Sequence, residues 1–103
     1  MIVAIVRFKL PAGMARDKAT ALFKQTAPRY RGLPGLVRKY YIWNADGTAG
    51  GCYLWQTRQQ AEQLFNREWR ATMAERYGAE PEVDYFETPV IVDNLEGKID
   101  EFA

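Results

Sequence analysis

The chain has 103 residues, enough for one compact domain and too few for two. Hydrophobic residues make up 48% of it and charged residues 26%, a composition that excludes intrinsic disorder. With 14 basic residues against 13 acidic ones, the formal charge of +1 argues against nucleic acid or an anionic membrane as a partner. We expect the partners to be neutral or small.

Cysteine, histidine and apolar runs limit the compartment and the chemistry. Cys52 is the single cysteine, so no internal disulfide can form, and the absence of a signal-peptide pattern favours the cytoplasm. The apolar opening Ile2 to Val6 is far shorter than the roughly 20 residues that span a bilayer. The chain has no histidine, which removes the commonest general base, haem ligand and zinc ligand. We therefore expect no metal, haem or flavin.

The first part of the chain predicts a strand, a helix and a loop. Residues Ile2 to Lys9 are rich in β-branched side chains and apolar on both faces, which indicates a central strand. Apolar residues from Ala15 onward recur at helical spacing. Pro28 disfavours helical geometry at the preceding residue, so we expect this helix to end at Ala27.

A β-hairpin follows. Segments 36–44 and 51–56 are rich in aromatic residues, and Asp46-Gly47 between them is typical of a two-residue type I′ turn. Such a turn pairs Ala45 with Thr48 and fixes the register of both strands.

The second half predicts helical segments and a last strand. Thr57 followed by Gln60 forms a capping box that opens a helix, and the helical pattern ends at Gly78. Asn66 either caps a second helix or lies inside one continuous helix. Segment 83–93 predicts a strand in which Pro89 indicates an edge position or a bulge. We place one domain at residues 1–94 and a tail at 95–103, where apolar residues have helical spacing: Leu95, Ile99 and Phe102.

The order β-α-β-β-α-β predicts a ferredoxin-like α+β fold with a four-stranded antiparallel sheet. Two helices cover only one face of such a sheet, yet the first three strands are apolar or aromatic on both faces. Leaving about six large side chains exposed to water would lose on the order of 10 kcal/mol of hydrophobic stabilisation. The pattern therefore predicts a homodimer that packs sheet against sheet.

Two motifs carry a resemblance to a known family. Leu33-Pro34-Gly35-Leu36 and the run from Ala49 through Gly50-Gly51 to Trp55 resemble the YdhR-like monooxygenase family of the dimeric α+β barrel superfamily, which includes antibiotic-biosynthesis monooxygenases. The resemblance implies a dimeric barrel and cofactor-independent oxygenation of a small hydrophobic, aromatic or phenolic compound. A non-catalytic protein that binds or sequesters such a ligand is the alternative, and an isomerase or dehydratase is a third.

The predicted hairpin register places four candidate site residues on one face. Tyr40 then lies opposite Tyr53, and Arg38 opposite Trp55. In this hypothesis Arg38 stabilises a phenolate and Tyr40 transfers a proton, while Tyr53 and Trp55 bind the substrate ring. The competing interpretation is that these rings form the core or the dimer interface. The cavity would then lie on the opposite face, around Lys39, Tyr41, Trp43 and Leu54.

Asn66 and Trp69 are further candidates for contact with the substrate. They lie one helical turn apart, and the resemblance implies a role because asparagine and tryptophan occur in cofactor-free quinol oxygenases. The alternative is structural, with Asn66 as a helix cap and Trp69 in the core.

Overall fold

The computed structural model describes residues 1–103 and contains six strands and three α-helices. The main sheet is antiparallel with strand order β2-β3-β1-β4, so the predicted ferredoxin-like α+β fold is confirmed. The longest helices have 11 residues, too few to span a membrane. The elements are β1 Ile2–Lys9, α1 Arg16–Thr26, a 3₁₀ turn Ala27–Tyr30, β2 Leu36–Trp43, β3 Thr48–Trp55, α2 Arg58–Leu64, α3 Arg67–Tyr77, β4 Glu82–Glu87, β5 Val90–Asp93 and β6 Lys98–Glu101.

The core lies between the helices and one face of the sheet. Ala4 and Val6 of β1 and Trp55 of β3 are at most 1% exposed and pack with Ala61 and Phe65 of the α2 segment. The residues between them along each strand point to the other side of the sheet, which no helix covers. We call that side the open face.

The hairpin between β2 and β3 differs from its prediction by one residue. Asn44 N donates to Thr48 O at 2.8 Å, which leaves three residues in the loop, and β3 begins at Thr48 instead of Gly51. A type I′ turn would require a positive φ at Asp46, but only glycines have positive φ in this chain. Gly47 has φ +92°, as the last position of a three-residue loop requires. The predicted two-residue turn is therefore wrong.

This change moves the side chains of β2 to the other face relative to β3. Lys39 pairs with Tyr53, and Tyr40 pairs with Cys52. A bulge between Leu36 and Arg38 then brings Arg38 opposite Leu54. The predicted pairs of Tyr40 with Tyr53 and of Arg38 with Trp55 are wrong, because a slip of one residue exchanges the two faces of a strand. Arg38 and Tyr40 lie on the open face.

The helix boundaries follow their predicted signals. The α1 helix ends at Thr26, and Pro28 lies in the 3₁₀ turn that follows it. Thr57 caps α2 by accepting a hydrogen bond from Gln60 N at 3.2 Å. Of the two alternatives at Asn66, the structure has the cap: its Oδ1 accepts from Trp69 N at 2.9 Å.

The last predicted strand is broken in two, and the tail is not helical. Pro89 has no N–H to donate, so β4 ends at Glu87 and β5 begins at Val90. The β4 strand pairs with β1, whereas β5 turns away and pairs with β6 in the tail. Asp93 Oδ1 accepts from Leu95 N at 2.9 Å and stabilises the turn between them. We call β5 and β6 the ribbon.

Candidate functional site

A small cavity lies between the sheet and helices α1 and α3, and we call it the inner cavity. Its volume is about 50 Å³, room for a few water molecules, since one needs about 10 to 15 Å³. Most of its wall is aromatic or aliphatic, and Lys39 and Arg76 supply the charged side chains. The α3 helix contributes four lining residues at helical spacing: Trp69, Met73, Arg76 and Tyr77.

Lys39 extends from β2 into this cavity and lies among three tyrosine rings. Its Nζ is 3.4 Å from the ring centroid of Tyr30, 3.8 Å from that of Tyr41 and 4.7 Å from that of Tyr53. We call these three residues the tyrosine cage. Lys39 forms no ion pair. Burial lowers its pKa from the ordinary 10.5 to about 7, while the ring faces favour the ammonium form.

The hydroxyls of Tyr53 and Tyr41 stay protonated near neutral pH and give Lys39 no counterion. Tyr53 is 3% exposed, and burial raises its pKa, with Tyr30 adding to the effect. Burial also raises the pKa of Tyr41, whose hydroxyl is hydrogen-bonded to Thr26 Oγ1 at 2.7 Å. The cavity therefore holds one amine that titrates near neutrality, surrounded by neutral aromatic groups.

The glycine pair of β3 makes room for this arrangement. A Cβ on Gly50 would lie 1.8 Å from the carbonyl oxygen of Val6, so this position requires glycine where the strands meet. A Cβ on Gly51 would lie 2.7 Å from Tyr53 Cε1 and 3.1 Å from Lys39 Cε. Gly51 thus leaves space for the Lys39 side chain to cross β3 beside Tyr53.

The structure brings two of the six sequence-predicted site residues to the inner cavity, Tyr53 and Trp69. Trp55 is fully buried in the core, with its ring 6.2 Å from that of Tyr53, and it does not line the cavity. Asn66 is exposed, and its side-chain oxygen is engaged in capping α3.

Arg38 and Tyr40 are separated from the inner cavity by the sheet. Arg38 Nη1 lies 3.4 Å from the Tyr40 hydroxyl on the open face, where Tyr40 is 52% exposed. Their catalytic roles stay predictions, but the patch shared with Tyr53 and Trp55 does not form within one chain. Of the alternative set, Lys39 and Tyr41 line the inner cavity, whereas Leu54 faces the open side.

No group of three His, Cys, Asp or Glu side chains comes together in a geometry that could hold a metal ion.

No protein-family model matches the chain, and a search of characterised proteins finds none with significant similarity. Solved structures share its fold. A protein of unknown function from Nitrosomonas europaea, NE2512, is 17% identical with a TM-score of 0.64, and the match covers 84% of this chain and 87% of that one.

Two further structures have the same fold and named activities. A monooxygenase from the gene ActVA-Orf6 of Streptomyces coelicolor, in complex with nanaomycin D, is 19% identical with a TM-score of 0.61. SnoaB, a cofactor-independent oxygenase from Streptomyces nogalater, is 16% identical with a TM-score of 0.59. Each match covers 84% of this chain, and 86% and 91% of those chains respectively. These likenesses show that the chain shares its fold with these proteins, and none of them singles out the YdhR-like family.

Proposed function

We propose that this protein is a cofactor-independent monooxygenase that oxidises a small phenolic compound in the inner cavity. The observation that carries the proposal is the Lys39 amine within the tyrosine cage, an ionisable base enclosed by surfaces suited to a flat aromatic ring. The fold shared with two oxygenases supports the reaction class.

The proposed reaction converts a phenol with a free para position into a quinone. The neutral amine of Lys39 accepts the phenol proton, and the phenolate that forms is rich enough in electrons to reduce O₂. One oxygen atom of O₂ bonds to the para carbon, and the other leaves as water with the two hydrogens that the phenol loses. For 1-naphthol the balance is one O₂ consumed and one 1,4-naphthoquinone and one water formed.

The surrounding residues would position the ring and exclude water. Tyr41, Tyr53 and Trp69 present aromatic surfaces to the cavity. At about 50 Å³ the cavity is about a third of the 150 Å³ engineered cavity that binds benzene, so the substrate must displace part of the wall. The α3 helix contains no fully buried residue, and it is the part of the wall that we expect to move.

Oxygen uptake with 1-naphthol tests the proposal. The expected result is consumption above the uncatalysed rate, with label from ¹⁸O₂ found in the quinone. Because Lys39 must be neutral to act as base, kcat/KM should rise with pH through about 7. If tryptophan fluorescence shows that naphthol binds while no oxygen is consumed, the protein is a binding or sequestering protein, which is the alternative function.

A further inference from the structure

We infer that the site takes an aromatic anion, with its ring in the inner cavity and a carboxylate held between Arg29 and Arg76 where the cavity opens between the helices. This inference rests on the proposed function only for the site at which the ring binds, and it specifies the class of substrate.

A second cavity adjoins the inner one, and we call it the outer cavity. Its volume is about 180 Å³, and it lies between the 3₁₀ turn, α2 and α3. Arg29 of the 3₁₀ turn and Leu64 of α2 both line it. The two cavities share part of their walls, so a ligand with its ring at Lys39 would extend past these residues: Thr26, Tyr30, Trp69, Met73 and Arg76.

The permanently charged side chains that line the two cavities, Arg76 and Arg29, are both positive. Lys39 adds a third basic group, and no aspartate or glutamate lines either cavity. None of these three side chains forms an ion pair with an acid elsewhere in the chain. The chain as a whole is nearly neutral, with a formal charge of +1, so this local excess is not a consequence of composition.

An anionic ligand would supply the negative charge that these basic side chains lack, whereas a neutral ligand would bury them without a counterion. An aromatic ring that enters beside Arg76 removes water from its guanidinium group, which costs free energy unless the ligand supplies acceptors. A carboxylate accepts paired hydrogen bonds from a guanidinium in the geometry that arginine prefers. Arg29 and Arg76 are exposed and remain free to turn towards such a group.

Binding of three closely related ligands tests the inference without any turnover. Isothermal titration calorimetry would compare 6-hydroxy-2-naphthoate, its neutral methyl ester and 2-naphthol at pH 7.5. We expect the acid to bind at least about tenfold more tightly than the ester, since hydrogen bonds to charged groups contribute about 1.5 to 3 kcal/mol. Equal affinities for acid and ester, or no binding of any of the three, would overturn the inference.

Matched variants test whether Arg29 and Arg76 cause the preference for the acid over the ester. In R29Q/R76Q the acid should lose its advantage over the ester, while R67Q, which removes an exposed arginine at the start of α3 that lines neither cavity, should keep it. An advantage that persists in R29Q/R76Q, with an unchanged circular dichroism spectrum, would contradict the assignment.

The inference and the proposed function can fail separately. Preferential binding of the acid without oxygen uptake would refute the oxygenase function and support the anion site. Oxidation of 1-naphthol without any preference for the acid would support the oxygenase function and refute the anion site.

Discussion

Lys39 makes the stability of the fold depend on pH. Its pKa is about 7 in the folded chain and near 10.5 when the side chain is free in water, so between these values the unfolded chain binds more protons. The free energy of unfolding should therefore rise from pH 7 towards pH 9. Urea titrations across this range should show a smaller rise in K39M, while K18M, which removes an exposed lysine, keeps the wild-type slope. Equal slopes in wild type and K39M would contradict the buried state of this amine.

Gly51 determines whether the amine reaches the tyrosine cage. In G51A the new methyl group would crowd Lys39 Cε and Tyr53, so we expect the lysine to leave the cage and its pKa to rise towards 10.5. Naphthol affinity should fall by about tenfold, as for the loss of one favourable contact of about 1.4 kcal/mol. NMR titration of the Lys39 Cε protons measures the first effect, and fluorescence quenching the second. C52A changes the neighbouring residue on the open face and should alter neither; a G51A variant with the wild-type lysine titration would refute this role.

At the scale of elements, the cap of α3 tests whether Asn66 serves structure or substrate. N66A should lower the free energy of unfolding by about 1 kcal/mol, because Trp69 N loses its acceptor. N66S should restore most of this stability, since serine is also a good N-cap. Urea midpoints measure both variants. Full turnover in N66S would support the structural role, whereas a stable but inactive N66S would give Asn66 the substrate contact implied by the family resemblance.

One turn decided which parts of the site could be predicted from sequence. The strands and helices follow from apolar periodicity and from caps such as Thr57, which are local signals. The sequence around Asp46-Gly47 is compatible with a two-residue loop and with a three-residue loop, and Gly47 ends the loop in both. Which of the two forms depends on contacts that include the hydrogen bond from Thr48 N to Asp46 Oδ1 at 2.8 Å. Because the loop is one residue longer than predicted, Lys39 and not Arg38 faces the cavity. Ala45, Asp46 and Gly47 also match a three-residue loop that ends in glycine, and this was the signal that could have identified Lys39.

The helical pattern predicted for the tail was wrong for a different reason. Apolar residues at 95, 99 and 102 have helical spacing, but spacing alone carries little weight over so few residues. Pro89 ended β4 and freed β5 to pair with residues 98–101. That pairing joins segments on either side of a turn, and neither segment indicates it by itself.

At the scale of the whole molecule, the open face leaves apolar side chains uncovered in a single chain. Phe86 is 53% exposed, Tyr40 is 52% exposed, and on the ribbon Val92 and Ile99 are 64% and 68% exposed. We expect a homodimer that buries the open face. Light scattering after size exclusion should give about twice 11.9 kDa. F86D should yield a monomer, and A71D on the exposed side of α3 should remain a dimer; a wild-type monomer at micromolar concentration would contradict the assembly.

We place the chemistry on the helix-covered face of the sheet and not on the open face. Oxygen uptake with 1-naphthol by wild type, K39M and R38M tests this placement, because the two variants remove neighbouring basic side chains that lie on opposite faces. Loss of a general base typically lowers the rate by about 100-fold or more, so K39M should lose turnover by that factor while R38M keeps most of it. Turnover that survives in K39M and is lost in R38M would refute this placement and assign the site to the open face.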